Sequence, residues 1–476
     1  MKKSYIYLLL ILLVTGGACK KNITRLNVDP KNASTAPSYT LFTYAQKNLA
    51  SNLASTNVNL NIFKMLAQHW TETTYTDESN YDLATRNIPQ NWFHALYRDV
   101  LNDFKSAKDL IPTDVTDPVK QKNEIAIVDI MMVYTYHYLF TTFGNVPYST
   151  ALDINNTQPS YDDAKTAYGQ LMTTLDAAIA SIDAGGDSFG SADLLFGGDM
   201  DRWKMFGYSL KLKMGMMMAD YDAAASKSAV EAAVAGGVFA SNDDNAYFNF
   251  LASPPNTNPL WVDLVQSGRQ DFVAANTLVN AMNTLNDPRV PLYFTKNAAN
   301  GYSGGIYGSS NNYATFSKPS TTLTDPTHAY DMLDYSEVEF LLAEAVERGY
   351  NVGGTAAEHY DNAVTASITA WGGSALDATT YLAQPAVAYA TAAGTYKQKI
   401  GTQKWISLYD RGSDAWTEWR RFDYPVLTAP SGAVSAIPVR FTYPVSEQNL
   451  NKTNYDAASS AIGGDLVTTK LWFDKF

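Results

Sequence analysis

The chain has 476 residues, a net charge of −12, and only 17% charged residues, below the ~25% typical of globular proteins. Nucleic-acid binding requires many Lys and Arg side chains to neutralise phosphates, so this composition argues against a nucleic-acid partner. Aromatic residues make up 13% of the chain, 31 of them Tyr, and the other polar residues are mostly neutral. Rings with an apolar face and a polar edge favour a neutral, hydroxyl-rich ligand.

The first residues have the pattern of a secretory signal. Two lysines precede an apolar run over residues 5–14, which is shorter than the roughly 20 residues that span a bilayer. Residues 15–18, Thr-Gly-Gly-Ala, follow and lead directly to Cys19, the only cysteine. We therefore predict a lipoprotein signal peptide over residues 1–18, lipidation of Cys19, and an extended tether over residues 19–37. The alternative is ordinary secretion with one free thiol.

Apolar residues recur at three- and four-residue steps along most of the remaining chain, which is the pattern of one helix face. Clear runs begin at Trp92 and Ile125, and Pro112 and Gly144 mark their ends, because proline cannot continue a helix. Further helices are predicted over residues 161–182, 202–221, 271–285, 330–349, 356–371 and 396–419. No stretch shows sustained alternation of period two, so we predict an all-α, mainly helical fold.

The predicted helices come in pairs separated by short breaks, which suggests stacked units of the tetratricopeptide type. Two regions break this pattern. Residues 183–200 are rich in Gly, Ser and Asp, and residues 286–327 combine Gly, Ser and Asn with several tyrosines. A long loop inside a compact protein is usually functional or disordered, and interleaved tyrosines favour a functional loop.

Several motifs have only partial support. Residues 301–305 fit G-x-S-x-G around Ser303, but a nucleophile elbow needs a strand before it and a helix after it. His328 and His359 lie downstream, and nothing in the sequence orders a triad. The five histidines lack metal-ligand spacing and have no cysteine partners, so we predict no metal site. No dinucleotide or P-loop motif is present, so we predict no cofactor.

Carboxylates give no clear acid/base pair. Glu337 and Glu339 lie two residues apart on a predicted helix and so point to different faces. Glu344 and Arg348 lie four apart and are predicted to form an ordinary surface pair. Distant carboxylates that converge in the fold could still form the pair that glycoside hydrolysis needs.

Several segments, in their order along the chain, resemble the SusD/RagB family of outer-membrane lipoproteins, specifically its SusD-like second subfamily. The strongest are residues 335–345, 404–409, 415–421 with 424–425, and 440–451; shorter ones are residues 26–30, 73–79, 144–148 and 286–289. The similarity extends over nearly all of the chain after Cys19.

This resemblance implies one SusD-like nutrient-binding domain over residues 38–476, built on tetratricopeptide-like helical pairs with irregular ligand-facing loops. It implies a non-enzymatic lipoprotein that is anchored in the outer membrane and faces the exterior. Its partner would be a SusC-like TonB-dependent outer-membrane barrel, to which it would deliver captured nutrients, most often oligosaccharides.

In this family the ligand site lies in loops, and the matching regions here are residues 69–82 and 261–313. The predicted ligand-binding residues are Trp70, Tyr75, Tyr81, Trp261, Arg269, Tyr302 and Tyr307. Each of them has a structural alternative; for example, Trp70 could staple a helix end and Trp261 could anchor a short helix in the core. A second set is predicted to be structural: Trp405, Trp416, Trp419, Arg420 and Arg421.

Two other functions stay open on the sequence alone. One is a surface glycoside hydrolase or esterase. The other is a capture protein for a nutrient that is not a glycan, such as a peptide, because the same lid architecture could serve it.

Overall fold

A computed structural model describes residues 36–475, and the main compact unit begins at Ser38. The predicted signal peptide, the lipidation site at Cys19 and the tether up to residue 35 lie outside the described residues. Across residues 36–475, none of the helices combines the length and the apolar character needed to cross a membrane.

Helices dominate the described residues. They are α1 (Ser38–Ala54), α2 (Phe63–Leu66), α3 (Ile88–Leu96), α4 (Asn102–Asp114), α5 (Pro118–Phe143), α6 (Ala164–Ser181), α7 (Met200–Met217), α8 (Ala223–Gly236), α9 (Pro259–Trp261), α10 (Asn276–Thr284), α11 (Val290–Tyr293), α12 (Tyr335–Glu347), α13 (Ala356–Ala370), α14 (Ala375–Leu382), α15 (Tyr396–Ser407), α16 (Gly412–Phe422), α17 (Val445–Leu450) and α18 (Lys452–Ala461). The strands are β1 (Trp70–Glu72), β2 (Tyr247–Phe248), β3 (Phe272–Ala274) and β4 (Tyr330–Asp331). The mainly helical architecture confirms the predicted all-α class.

The long helices pack as pairs. Three pairs are neighbours joined by a short break, as predicted, whereas α1 packs against α4 across α2 and α3, and 20 residues, 144–163, separate α5 from α6. The pairs are α1 with α4, α5 with α6, α7 with α8, α12 with α13, and α15 with α16. Aspartates begin several of these helices: the side chains of Asp117, Asp163, Asp199, Asp222 and Asp334 each accept a hydrogen bond from a backbone N–H of the first turn. Such caps satisfy donors that a helix leaves unpaired at its start.

Four predicted helix boundaries are wrong. The helix predicted to end at Pro112 continues as α4 to Asp114, with Pro112 inside it. The predicted helix 396–419 is two helices, because the chain turns at residues 408–411 between α15 and α16. The predicted helix 271–285 begins as β3, which pairs with β1. The predicted helix 330–349 begins as β4, which pairs with β2. In both of the last cases tertiary pairing overrides the local apolar spacing.

A network of buried ion pairs joins α7, α12, α15 and α16. Its contacts are Lys213 to Asp414 at 2.5 Å and to Glu337 at 3.2 Å, Arg411 to Glu337 at 2.6 Å, Lys404 to Glu418 at 3.0 Å, and Arg421 to Glu344 at 2.5 Å. The prediction of an ordinary surface pair between Glu344 and Arg348 is therefore wrong. The Glu344 side chain is fully buried and shared between Arg348 and Arg421.

The residues predicted to be structural lie in or beside this network. Trp405, Trp416, Arg420 and Arg421 are all buried, and Trp419 is partly buried. The Arg420 guanidinium lies 3.5 Å from the ring centroid of Trp416, a cation–π contact. Burial confirms that this group belongs to the framework of the fold.

Candidate functional site

Two loops meet at one end of the β1–β3 sheet. The antiparallel pairing of β1 with β3 continues past the strands, because the Thr73 N–H donates to the Asp271 carbonyl at 2.8 Å. The Thr73 hydroxyl donates to the Gln270 carbonyl at 2.6 Å, across 197 positions of sequence. The segment after β1 and the segment before β3 therefore lie side by side.

A cleft of about 250 Å³ opens beside these two loops, and we call it the Tyr75 cleft. The polar segment that follows α1 forms its remaining wall. Its lining residues are Thr56, Asn57, Val58, Asn59, Glu72, Thr74, Tyr75, Arg86, Asp263, Arg269, Asp271 and Phe272. Convergent polar groups around a concave surface, with aromatic rings beside them, are typical of small-molecule sites.

Tyr75 presents its ring at this cleft. The residue is 71% exposed, more than any other Tyr described as exposed, and its backbone has φ of +53°. A bulky residue seldom adopts this left-handed conformation. Residues that the surrounding structure holds in such conformations concentrate at ligand sites. The geometry thus gives an open aromatic face beside hydrogen-bonding groups.

The two guanidinium groups of the cleft are paired. The Arg269 Nε donates to the Asp271 carboxylate, and the Arg86 Nε donates to the Glu78 carboxylate. The hydrogen bond and charge of Asp271 raise the pKa of Arg269. Because each guanidinium has a carboxylate neighbour, the cleft offers hydrogen-bond donors and acceptors without a strong excess of positive charge.

Two carboxyl groups of the cleft hold their protons unusually tightly. Burial, followed by the adjacent Glu78, raises the pKa of Glu72 to about 9, although its oxygen accepts the Ser79 N–H at 3.0 Å. Burial also raises the pKa of Asp263 to about 6. Glu72 is therefore a neutral carboxylic acid at pH 7, because burial disfavours the ionised form.

The structure brings two of the predicted ligand-binding residues together, since Tyr75 and Arg269 line the same cleft. Trp261 is partly buried and ends α9, two residues before Asp263. Tyr302 packs against the core, and its carbonyl accepts a hydrogen bond from Asn283 at 3.1 Å. Neither Trp261 nor Tyr302 lines the Tyr75 cleft.

Trp70, Tyr81 and Tyr307 lie in the interior, where their exposed fractions are 0%, 2% and 7%. The Trp70 indole N–H donates to the Tyr409 hydroxyl at 3.0 Å, and the Tyr307 hydroxyl donates to the Met65 carbonyl at 2.8 Å. These rings hold the loops against the helical framework and leave almost no surface for a ligand, so the proposal below does not use them; that they contact a ligand stays a prediction.

Much of the cleft escapes prediction from the sequence. Glu72, Asp263 and Asp271 lie within the two predicted loop regions, but nothing in the sequence marks their carboxylates as site groups. Residues 56–59 and Arg86 lie outside those regions. The polar run directly after α1 is the available signal, because a polar segment between helices often lines a surface site.

The side chains of a hydrolase triad are not assembled around Ser303. Its hydroxyl accepts a hydrogen bond from Asn297 at 2.7 Å. The His328 ring lies 3.2 Å from Asp410, and the His359 ring lies 2.6 Å from Glu339. Across residues 36–475, no group of three or more His, Cys, Asp or Glu side chains is placed to hold a metal ion.

Paired helices that carry an open, loop-built cleft with an exposed ring define a class of binding scaffold. The match to a family model identifies the family to which this scaffold belongs. The chain belongs to the SusD-like family, whose model is described as "Starch-binding associating with outer membrane" and matches residues 30–444. This match confirms the resemblance that the sequence motifs indicate.

Solved structures agree with this assignment. A chitin-binding protein is 26% identical, with a TM-score of 0.79, over 92% of this chain and 100% of its own. A chitin-binding SusD homologue from Flavobacterium johnsoniae is 25% identical, with a TM-score of 0.78, over 92% of this chain and 98% of its own. A SusD homologue from Bacteroides uniformis shares the fold at 24% identity and a TM-score of 0.79, over 92% and 99% of the two chains. No protein of curated function matches the chain significantly.

Proposed function

We propose that this protein is a non-enzymatic lipoprotein that captures an oligosaccharide in the Tyr75 cleft and delivers it to a SusC-like TonB-dependent outer-membrane barrel. The observation that carries the proposal is the open ring of Tyr75 beside the paired polar groups of Arg269 and Asp271. A pyranose has an apolar face that can stack on such a ring and hydroxyls that such groups can bind.

Chitin and starch oligosaccharides are the first ligands to examine. Two similar solved structures are chitin-binding proteins, and the family description names starch. Isothermal titration calorimetry of residues 20–476 against chito- and malto-oligosaccharides of increasing length would measure the affinity. A ligand that spans the cleft is expected to bind in the micromolar-to-millimolar range.

Tyr75→Ala tests the position of the site. Stacking that removes about 60 Å² of apolar surface from water is worth ~1.5 kcal/mol, so the variant should bind about tenfold more weakly. Tyr39→Ala is the matched control, because Tyr39 is also exposed, at 51%, and lies on α1 about 22 Å from the helix end that meets the cleft. Equal affinity of Tyr75→Ala and wild-type protein would rule out this cleft as the glycan site.

The membrane anchor and the barrel partner are separate parts of the proposal. Acylation of Cys19 would appear as added lipid mass on the mature N-terminal peptide and would be absent in Cys19→Ser. Affinity purification from detergent-solubilised outer membranes should recover a TonB-dependent barrel. Recovery of an unmodified Cys19 in a released protein would contradict the anchor while leaving the Tyr75 cleft unaffected.

Glycoside hydrolysis is the second candidate, because Glu72 and Asp263 share a cleft and have raised pKa values. A general acid must reach the glycosidic oxygen, but Glu72 is only 2% exposed. Capture without cleavage is therefore the preferred function. Chromatography of the oligosaccharide after prolonged incubation should return it intact, and shortened products that vanish in Asp263→Asn would favour the hydrolase.

A further inference from the structure

A second cavity, of about 290 Å³, lies beside the β2–β4 pair and shares no lining residue with the Tyr75 cleft. We call it the Trp371 cavity. The indole of Trp371 follows the end of α13, and the ring of Tyr247 comes from β2. His328 completes an aromatic wall, with its ring centroid 5.9 Å from that of Trp371.

Three carboxylates and one guanidinium line this cavity. The guanidinium of Arg411 is already shared, because it lies 3.3 Å from Asp334, 2.6 Å from Glu337 and 2.8 Å from Asp414. The carboxylate of Asp410 lies 3.4 Å from the Lys64 ammonium. Arg411 and Lys64 therefore pair with two of the three lining carboxylates, Asp334 and Asp410.

The third lining carboxylate, Asp331, takes part in none of these ion pairs. Its Oδ1 atom is enclosed and has no hydrogen-bond partner among the described residues. Burial raises the pKa of Asp331, the carboxylates of Asp334, Asp410 and Glu337 raise it further, and Arg411 lowers it. Because Asp331 lines the cavity, a ligand that brings a donor and a positive charge to its carboxyl group would favour the ionised form and would be bound favourably.

The aromatic wall supports a cationic ligand as well. Asp331 is the register partner of Tyr247 across the two strands, so the carboxylate and the ring come from paired positions. Ammonium groups are attracted to the faces of Trp and Tyr rings and form strong charge-assisted hydrogen bonds with carboxylates. A neutral ligand would use the aromatic wall but would bring no positive charge to Asp331.

We propose that the Trp371 cavity binds a small molecule with a primary ammonium group, which pairs with the Asp331 carboxylate while the carbon skeleton packs against Trp371. The proposal is independent of the glycan site, because the two sites have no lining residue in common. An amino sugar with a free amine has the required chemistry, and so does a simple alkyl amine.

Calorimetric titration with glucosamine, ethanolamine and glucose tests this proposal. Glucosamine and ethanolamine should bind, and glucose, which carries a hydroxyl where glucosamine has its ammonium, should bind at least tenfold more weakly. Ethanolamine distinguishes recognition of the ammonium alone from recognition of an amino sugar. Absence of binding by both amines, or equal affinity for glucose and glucosamine, would overturn the proposal.

Asp331→Asn is the decisive variant, with Asp201→Asn as its control, because Asp201 is exposed on the first turn of α7. Amine affinity should fall at least tenfold in the first and stay unchanged in the second. Because burial and the neighbouring carboxylates favour the uncharged form of Asp331, the neutral amide of Asp331→Asn should leave the melting temperature equal to or above that of the wild type. Trp371→Phe is the second variant and should weaken amine binding several-fold. Unchanged amine affinity in both would refute the assignment, and Tyr75→Ala should leave that affinity intact.

Discussion

Substitution of Glu337 gives the most direct test of whether the buried ion network stabilises the fold. Its carboxylate lies 2.6 Å from Arg411, 3.2 Å from Lys213 and 3.9 Å from Lys404, and its side chain is fully buried. Glu337→Gln keeps the shape of the side chain and removes only its charge. The effect of the substitution therefore measures electrostatics rather than packing.

Removal of one partner from a buried ion pair costs about 3–5 kcal/mol, because the remaining charge is left uncompensated. The lower end of this range applies to Glu337→Gln, because its partners keep other carboxylates. Lys213 keeps Asp414 at 2.5 Å, and Arg411 keeps both Asp414 and Asp334. The amide oxygen that Glu337→Gln introduces would still accept a hydrogen bond from Arg411. We therefore expect a loss of about 3 kcal/mol in the free energy of unfolding at pH 7.

The loss should depend on pH. Burial alone would raise the pKa of Glu337, but Arg411, followed by Lys213 and Lys404, lowers it overall. A carboxylate whose pKa is lower in the folded state stabilises the protein above its unfolded pKa of about 4.3, and this stability is lost as the pH falls further. The difference between wild type and Glu337→Gln should therefore shrink between about pH 5 and pH 3.

Urea unfolding followed by circular dichroism at pH 7, 5 and 4 would measure both effects. Glu347→Gln is the control, because it is the same substitution at an exposed position of the same helix. There the free energy of unfolding should change by less than about 1 kcal/mol. Equal midpoints for Glu337→Gln and wild type at pH 7 would refute the view that the network stabilises the fold.

Three further outcomes are expected. Trp70→Phe loses the hydrogen bond to Tyr409 and part of a buried ring, so urea unfolding should show a free energy of unfolding lower by about 2 kcal/mol. Oligosaccharide affinity should be unchanged, and a weaker affinity would show that Trp70 contributes to the ligand site. Glu72, with its pKa of about 9, holds a proton in the folded state that the unfolded chain releases above about pH 4.3, so its contribution falls as the pH rises toward 9. Glu72→Gln should therefore gain about 1–3 kcal/mol over wild type at pH 8, and a flat comparison from pH 5 to 9 would contradict this. Gly304→Ala would place a Cβ 2.3 Å from the Asn276 backbone nitrogen, so thermal unfolding should show a loss of about 1–3 kcal/mol; an unchanged melting temperature would show that the loop can move aside.

The helical pairs could be predicted from the sequence because their apolar spacing is local information. The run that begins at Ile125, for example, lies within α5 and ends at Phe143, next to the Gly144 that the sequence marks as a stop. The strands could not be predicted, because β1 and β3 are three residues each and are fixed by a partner about 200 positions away. A three-residue strand leaves too short a pattern to separate from a helix start.

The candidate site was predicted by region rather than by residue. Tyr75 and Tyr81 both lie in the loop that the family resemblance singles out, yet one ring is 71% exposed and the other 2%. Aromatic residues are common in cores as well as in binding sites, so composition alone cannot tell which way a ring points. Glu344 shows the same limit, since spacing places it four residues from Arg348 but does not reveal the Arg421 that approaches from α16.

The meeting of the loops around Thr73 and Gln270 has a consequence for how this molecule matures. The Tyr75 cleft cannot be complete in a polypeptide that ends before Gln270, because its two loops are joined across 197 positions of sequence. Contacts between such remote positions form late and slowly. If the Tyr75 cleft binds a glycan as proposed, glycan binding would therefore report that the chain has closed this junction.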